Sequence, residues 1–272
     1  MKLSIIKRFF ITANLAIILL FGFSQVQAQT TKTSKKSSPD KIVNKTEREI
    51  TEKIIREYIL ANPSIIREAL VALEAQDEKD KQQTIAENRK KFNSEIYTDP
   101  DSPVMGNKKG DVTIVVFSDY FCGYCRKTLP ELKSFLAKDS AVRIIYKEIP
   151  IMGSPSQVAA RAALAARRQG KFAEFHYALL ESDDASDATM KSISKRLGLN
   201  YEVLKKDMDD PKIIESIERN LSLATAIGVN GTPAYLVGEQ FIPGAIDAVA
   251  LAKIVADERK KSSNPGGSKS GL

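Results

Sequence analysis

The sequence predicts an α/β chain in which a strand–helix–strand unit and a closing β-hairpin flank a long helical insert, with a helical extension ahead of them. Three observations carry this reading. The run Val-Thr-Ile-Val-Val-Phe over 112–117 leaves no room for a polar face, as expected of a strand at the centre of a sheet. A second apolar run over 142–146 ends at Pro150, and the segment 126–136 between the two reads as a helix, which implies parallel pairing. From 156 to 228 every window favours helix, and only then does strand character return.

The chain has 272 residues, 43% of them hydrophobic, enough for one sizeable domain plus an appendage. Lys2, Lys7 and Arg8, an apolar stretch over 9–23 and Val26-Gln27-Ala28 form an export signal, expected over 1–28 with cleavage after Ala28. The stretch contains Thr12 and Asn14 and falls short of the roughly 20 apolar residues of a spanning helix. The signal carries three of the positive charges, which leaves +4 of the formal +7. The remaining basic residues gather near the ends and do not alternate with aromatics, so nucleic acid is not an expected partner.

A leader rich in Ser, Thr and Lys is expected over 29–45, followed by a helical extension over 46–98. Ile50, Ile54, Tyr58 and Ile59 recur at helical spacing; Asn62-Pro63 then ends this helix and opens a second, with Asn62 as its N-cap. Ile65, Ile66, Leu70 and Leu73 give the second helix an apolar face. The stretch 74–95 is helix-favouring and polar, with Ile85 and Phe92 as exceptions, and reads as a solvent-exposed spacer. Two helices this short cannot bury their own apolar faces, so self-association into a dimer or trimer is expected. The main domain spans 99–260, with the helical insert over about 155–228. Within it, Pro130 lies inside the first helix and is expected to kink it. The insert divides into helices at 158–168, 172–180, 188–197, 201–208 and 213–227. Strands at 234–237 and 240–242 and a helix at 245–258 close the domain, and a disordered tail is expected over 261–272.

Both cysteines of the chain, Cys122 and Cys125, fall at the turn between the first strand and its helix, in Phe121-Cys-Gly-Tyr-Cys-Arg126. Two thiols so spaced can close on each other, and the first sits where helix N-terminal amides stabilise a thiolate. The reading is a redox pair; an inert disulfide, two buried thiols and a structural zinc site compete with it. Zinc needs about four ligands, and Cys122, Cys125 and the single histidine, His176, supply three at most. After an export signal, where disulfides persist, such a pair suggests an oxidant or an isomerase rather than a reductant.

Taken together, Phe117, Asp119-Tyr120, Cys122-Gly123-Tyr124-Cys125, Pro150 and Gly231-Thr232-Pro233 resemble the DsbA-like thiol-disulfide oxidoreductases, which have a thioredoxin fold with a helical insertion. The resemblance covers about 102–260, and the region before it looks like the N-terminal helical extension of the oligomeric ScsC-like and Com1-like branch. It implies a redox-active disulfide Cys122–Cys125, with Cys122, the more exposed thiol, as nucleophile and Cys125 resolving. It also implies a cis bond before Pro233 and a Thr232 backbone that pairs with an extended substrate. It calls for no cofactor and no metal. The implied setting is the periplasm, and the implied partners are reduced or misfolded Cys-containing polypeptides and a membrane redox protein. Two departures stand out. The Gly-Tyr spacer lacks histidine, so a milder oxidant is expected. Val116 stands where many relatives carry a buried acid, leaving Glu148 or Asp119 as substitutes. His176 is given no role beyond packing. Rival readings are a non-enzymatic surface or interaction protein and a Cu(I)-handling protein on the same scaffold.

Overall fold

The computed structural model describes residues 44–263. The signal expected over 1–28, nearly all of the leader and residues 264–272 of the tail lie outside the described residues. The described residues divide into two units, 44–66 and 67–263.

In the first unit α1 (Lys45–Ala61) opens with a reciprocal cap: the Asn44 side chain accepts from Thr46 N at 2.9 Å, and Glu47 accepts from Asn44 N at 3.3 Å. The Asn62 side chain does not cap the following helix but turns back, donating to Tyr58 O at 3.0 Å. Asn62 closes α1, its backbone N–H reaching the carbonyls of Tyr58 and Ile59, and α2 (Ser64–Lys91) begins just beyond Pro63. The proline explains the difference, because the residue before it is pushed out of the helical region and ends the helix there. Neither α1 nor α2 buries a residue, and Ile50, Ile54, Ile55 and Tyr58 are all more than half exposed.

The second unit is built on a five-stranded sheet in the order β1-β3-β2-β4-β5. β2 (Val112–Ser118) is central; it pairs in parallel with β3 (Val142–Glu148) and antiparallel with β4 (Ala234–Val237). The hairpin partner β5 (Gln240–Pro243) forms one edge. The other edge is β1 (Val104–Gly106), antiparallel to β3 and absent from the sequence reading. Side-chain alternation splits the core into two layers. Ile114, Val116, Ile144, Tyr146 and Tyr235 belong to one, and Val115, Phe117, Ile145 and Leu236 to the other.

The first layer is covered by α4 (Gly123–Lys138), the insert helices and α10 (Ala248–Ser263). α4 runs through Pro130. α10 continues past 261, where a disordered tail was expected, and Arg259 holds it by bonding Asp111 at 2.7 Å and Asp139 at 2.6 Å. The insert is α5 (Ser154–Arg168), α6 (Phe172–Leu180), α7 (Asp187–Leu197), α8 (Tyr201–Met208) and α9 (Pro211–Ala226), each within a few residues of expectation. α5 packs an almost unbroken run of buried alanines, which lets its neighbours approach closely.

The second layer is completed from upstream. Ile96 of α3 (Asn93–Tyr97) is fully buried, and Phe92 packs against the same cluster. The Asn88 side chain donates to Ala226 O at 2.8 Å, and Arg89 lies 4.9 Å over the Phe241 ring. Ile85 meets Gly228 so closely that a Cβ there would come within 2.7 Å, and Gly228 has φ +82°, so glycine is required on both counts. The last turns of the polar stretch are therefore docked on the sheet layer and are not free spacer, and the domain's packing reaches back past 99. The apolar exceptions Ile85 and Phe92 are its anchors.

Lys147 on β3 points into this layer at 1% exposure. It donates to Asp99 at 3.1 Å, to Ser102 Oγ at 2.7 Å and to the Glu95 carbonyl, tying α3 and the following loop to the sheet. Removing one partner of a buried pair strands the other, so Lys147→Met is expected to lower stability by about 3 kcal/mol in urea unfolding. Arg219→Ala breaks a half-exposed pair with Asp101 and is expected to cost less than about 1 kcal/mol.

Candidate redox site

The site forms where β2 ends. Asp119 follows Ser118 and its buried carboxylate accepts four hydrogen bonds: Phe121 N and Ser156 Oγ, both at 2.7 Å, and Ile151 N and Met152 N at 2.7 and 2.9 Å. It thus binds the residue before Cys122 to the loop after β3 and to the start of α5. Of the two acids considered as substitutes for the one missing at Val116, Asp119 is the turn cap.

Cys122 is the N-cap of α4, and Cys125 lies one turn inside the helix. Both are thiols here. The greater exposure expected of Cys122 is not seen, since each residue is 4% exposed. Their surroundings separate them instead. The Cys122 Sγ donates to the Thr232 carbonyl at 3.0 Å, and it stands at the helix N-terminus, where backbone N–H groups favour an anion. The Cys125 thiol is pushed up to about 12 by burial, more than the Asp119 backbone N–H pulls it down. A thiolate is therefore far more costly on Cys125 than on an ordinary cysteine.

The Thr232–Pro233 bond is cis, and Pro233 lines a small cavity together with Cys125. The Thr232 carbonyl is engaged by the Cys122 thiol, while Gly244 N donates to Pro233 O at 2.9 Å and fixes the loop to β5. Tyr124, Ile151 and Met152 present exposed apolar surface on the spacer and the neighbouring loop.

Behind the cysteines lies a buried polar group that the sequence reading did not assemble. Glu148, the last residue of β3, is 1% exposed and accepts from the Tyr120 hydroxyl at 2.9 Å. The same hydroxyl is 2.7 Å from Nδ1 of His176 on α6. Burial raises Glu148 to about 8 and lowers His176 to about 3. Near neutral pH Glu148 is therefore mostly a carboxylic acid and His176 is neutral, so their 3.8 Å approach is not an ion pair. The signal that could have found Glu148 is strand parity. Extended by two residues, β3 places 144, 146 and 148 on one face.

These two groups set opposite pH dependences. His176 binds a proton more readily when unfolded, so its contribution to stability grows as pH rises from about 3 to its ordinary 6.5. Glu148 holds its proton more tightly when folded, so its contribution is full below 4.5 and is lost as pH rises to about 8. The two slopes oppose each other between 4.5 and 6.5, and only the Glu148 loss remains above that. Urea unfolding is expected to show stability falling by roughly 1–2 kcal/mol from pH 6.5 to pH 8. Glu148→Gln is expected to remove that fall.

A DSBA-like thioredoxin domain model matches residues 113–256, and a copper resistance protein ScsC N-terminal domain model matches 50–79. Among curated relatives, a Na(+)/H(+) antiporter NhaA 3 of Salinispora tropica is 30% identical over 164 residues, 59% of this chain and 25% of that protein. The chain thus spans about a quarter of the length of the first curated relatives it matches. A thioredoxin-like oxidoreductase from Silicibacter pomeroyi is 41% identical, with TM-score 0.59, covering 61% of this chain and 97% of that one. The thiol-disulfide exchange protein alpha-DsbA2 from Wolbachia pipientis is 28% identical, with TM-score 0.60, covering 65% and 97%. With a family model matching more than half its length, the chain belongs to the DsbA-like thiol-disulfide oxidoreductases, in the branch with an ScsC-like N-terminal region.

Proposed function

We propose that this protein exchanges disulfides with Cys-containing polypeptides outside the cytoplasm, through Cys122 and Cys125, as an oligomer assembled by its helical extension. The observation that carries the chemistry is the unequal setting of two equally buried thiols. A substrate thiolate attacks Cys122 Sγ of the Cys122–Cys125 disulfide, the S–S bond breaks, and the electron pair leaves on Cys125, which takes up a proton. A second substrate thiolate then attacks the substrate sulfur of the mixed disulfide, and Cys122 leaves as a thiolate held at the start of α4. Run from the dithiol, Cys122 attacks a wrong substrate disulfide, and Cys125 resolves the complex if the substrate does not rearrange. The Thr232 carbonyl, released when Cys122 is no longer a thiol, becomes free to pair with an extended substrate.

Assembly decides between the two directions. A monomer leaves its cysteines open to a membrane redox partner that re-oxidises them, whereas an oligomer with inward-facing cysteines shields them and shuffles disulfides. α1 carries Ile50, Ile54, Ile55 and Tyr58 exposed, and α2 adds Ile66, Leu70 and Leu73. That much unburied apolar side chain supports self-association, and with it an isomerase. The export signal over 1–28 supports work in the periplasm.

Cys122→Ser is expected to abolish disulfide transfer to a reduced model protein, and Cys125→Ser to accumulate mixed disulfides through Cys122. Retained turnover in the first variant, or substrate found attached to Cys125, would reverse the assigned roles. Light scattering on the chain from residue 29 is expected to give a dimer or trimer, and a version from residue 80, which keeps the docked Ile85–Phe92 turns, a monomer with its thiol chemistry intact. A monomer at tens of micromolar before truncation would refute assembly and favour the oxidase.

A further inference from the structure

We infer that Glu148, Tyr120 and His176 form a proton wire that supplies and removes the proton of Cys125, an inference that rests on the thiol-exchange reading above. The three side chains are joined end to end by hydrogen bonds of 2.9 and 2.7 Å, from the end of β3, the turn after β2 and α6, and lie wholly inside the protein. At the far end His176 Nε2 has no protein partner, and neither does the Tyr146 hydroxyl. Both residues line the same small cavity as Cys125, Ser118 and Thr128. The cavity measures about 10 Å³, on the order of what a single buried water needs. Buried polar atoms without partners are rare in native interiors and call for an explanation.

The wire works by moving hydrogens without creating buried ions on its intermediate members. The Tyr120 hydroxyl donates to Glu148 when that group is a carboxylate; when Glu148 is the acid the bond reverses, its O–H donates to Tyr120, the Tyr120 O–H donates to His176 Nδ1, and the imidazole proton sits on Nε2. When the Cys122–Cys125 bond breaks, the Cys125 thiolate takes the Nε2 proton across the cavity, which has room for one bridging water. The Tyr120 proton then passes to Nδ1 and the Glu148 proton to Tyr120. One S–H bond has formed, Glu148 has become a carboxylate, and Tyr120 and His176 are neutral as before. Resolution of a mixed disulfide runs the same transfers backwards, with the Glu148 carboxylate as final acceptor. The groups around the wire suit this. A histidine lowered to about 3 shuttles between tautomers and does not trap the proton as a cation. Tyr120 is held far above its ordinary value by burial and by Glu148 beside it, so it stays a phenol. Asp119 lies near Glu148, Lys133 bears on His176 from α4, and Tyr146 and Tyr177 pack against the imidazole.

The test is the pH profile of single steps in the full chain, read by acid quench and mass spectrometry after mixing the dithiol with oxidised glutathione. Resolution of the Cys122–glutathione disulfide needs the carboxylate, so in the wild type its rate is expected to rise through about pH 8 and then level. Opening of the disulfide by glutathione needs the acid, so its rate per thiolate is expected to fall over the same range. Tyr120→Phe is expected to slow resolution at pH 8 by about a hundredfold and to erase the plateau. Adding Glu148→Gln to it is expected to change nothing further, because the wire acts as a unit. His176→Gln, which keeps a hydrogen-bonding side chain but cannot exchange tautomers, is expected to match Tyr120→Phe. In wild-type protein, where no variant has to fold, the resolution rate is expected to curve with the deuterium fraction of the solvent, as several hydrogens move together. A wild-type profile in Tyr120→Phe, or a linear deuterium dependence, overturns the wire and leaves thiol exchange standing. A wild type that forms no mixed disulfide overturns both.

Discussion

Everything at the redox site depends on β2 being hydrogen-bonded along both edges. Paired with β3 on one edge and β4 on the other, β2 sits mid-sheet, and the two core layers cover both of its faces, which accounts for its nearly unbroken apolar sequence. Its C-terminal end is then a fixed point from which Ser118, Asp119, Tyr120 and Cys122 are launched into α4. The register does the rest. Ser118 lies beside Glu148 and Val116 beside Tyr146, while Phe117 faces Ala234, next to the cis Thr232–Pro233 bond. A slip of one residue would turn Glu148 to the opposite layer and remove it from Tyr120 and His176.

The two buried carboxyls show how hydrogen-bond supply decides chemistry. Asp119 has four donors, two of them on successive backbone amides, and serves as a rigid junction of three chain segments. Glu148 has one donor, with Oε2 left unmet in an apolar layer. Burial raises Glu148 more than its single bond from Tyr120 lowers it, and the proton stays. Burial likewise raises Cys125, while the equally buried Cys122 stands at the start of α4 with its thiol on the Thr232 carbonyl.

The cysteine turn, the central strand and the insert helices were legible in the sequence because each leaves a local mark, whereas the cis bond before Pro233 was implied by the family resemblance alone, since most X-Pro bonds are trans. The local marks are two thiols at fixed spacing, an apolar run, and helical periodicity that ends at Gly170 and Gly228. What escaped was set by long-range contact. β1 is three residues long and exists only because β3 offers it an edge. Reading β3 as ending at 146 hid the facing of Glu148, and nothing in the sequence near His176 says that a helix 56 residues from Tyr120 returns to meet it. The docking of Ile85 and Phe92 was invisible for the same reason. In a polar helix two isolated apolar residues resemble noise until the surface they fit, Gly228 and the Val115 layer, is known.

The apolar Val116 shapes the site as much as any polar residue. It lines the cavity beside Cys125, so the thiol loses a neighbour that could hydrate it or accept its proton directly, and burial dominates its protonation. An acid on the adjacent strand, reached through a phenol and an imidazole, restores a proton source without placing a second negative charge against the thiolate. In a low-dielectric interior that separation matters, because two anions in contact repel by several kcal/mol even at an effective dielectric of about 20. Val116 and Glu148 are thus one arrangement. The apolar residue keeps Cys125 a poor thiolate, and the displaced acid lets its proton come and go.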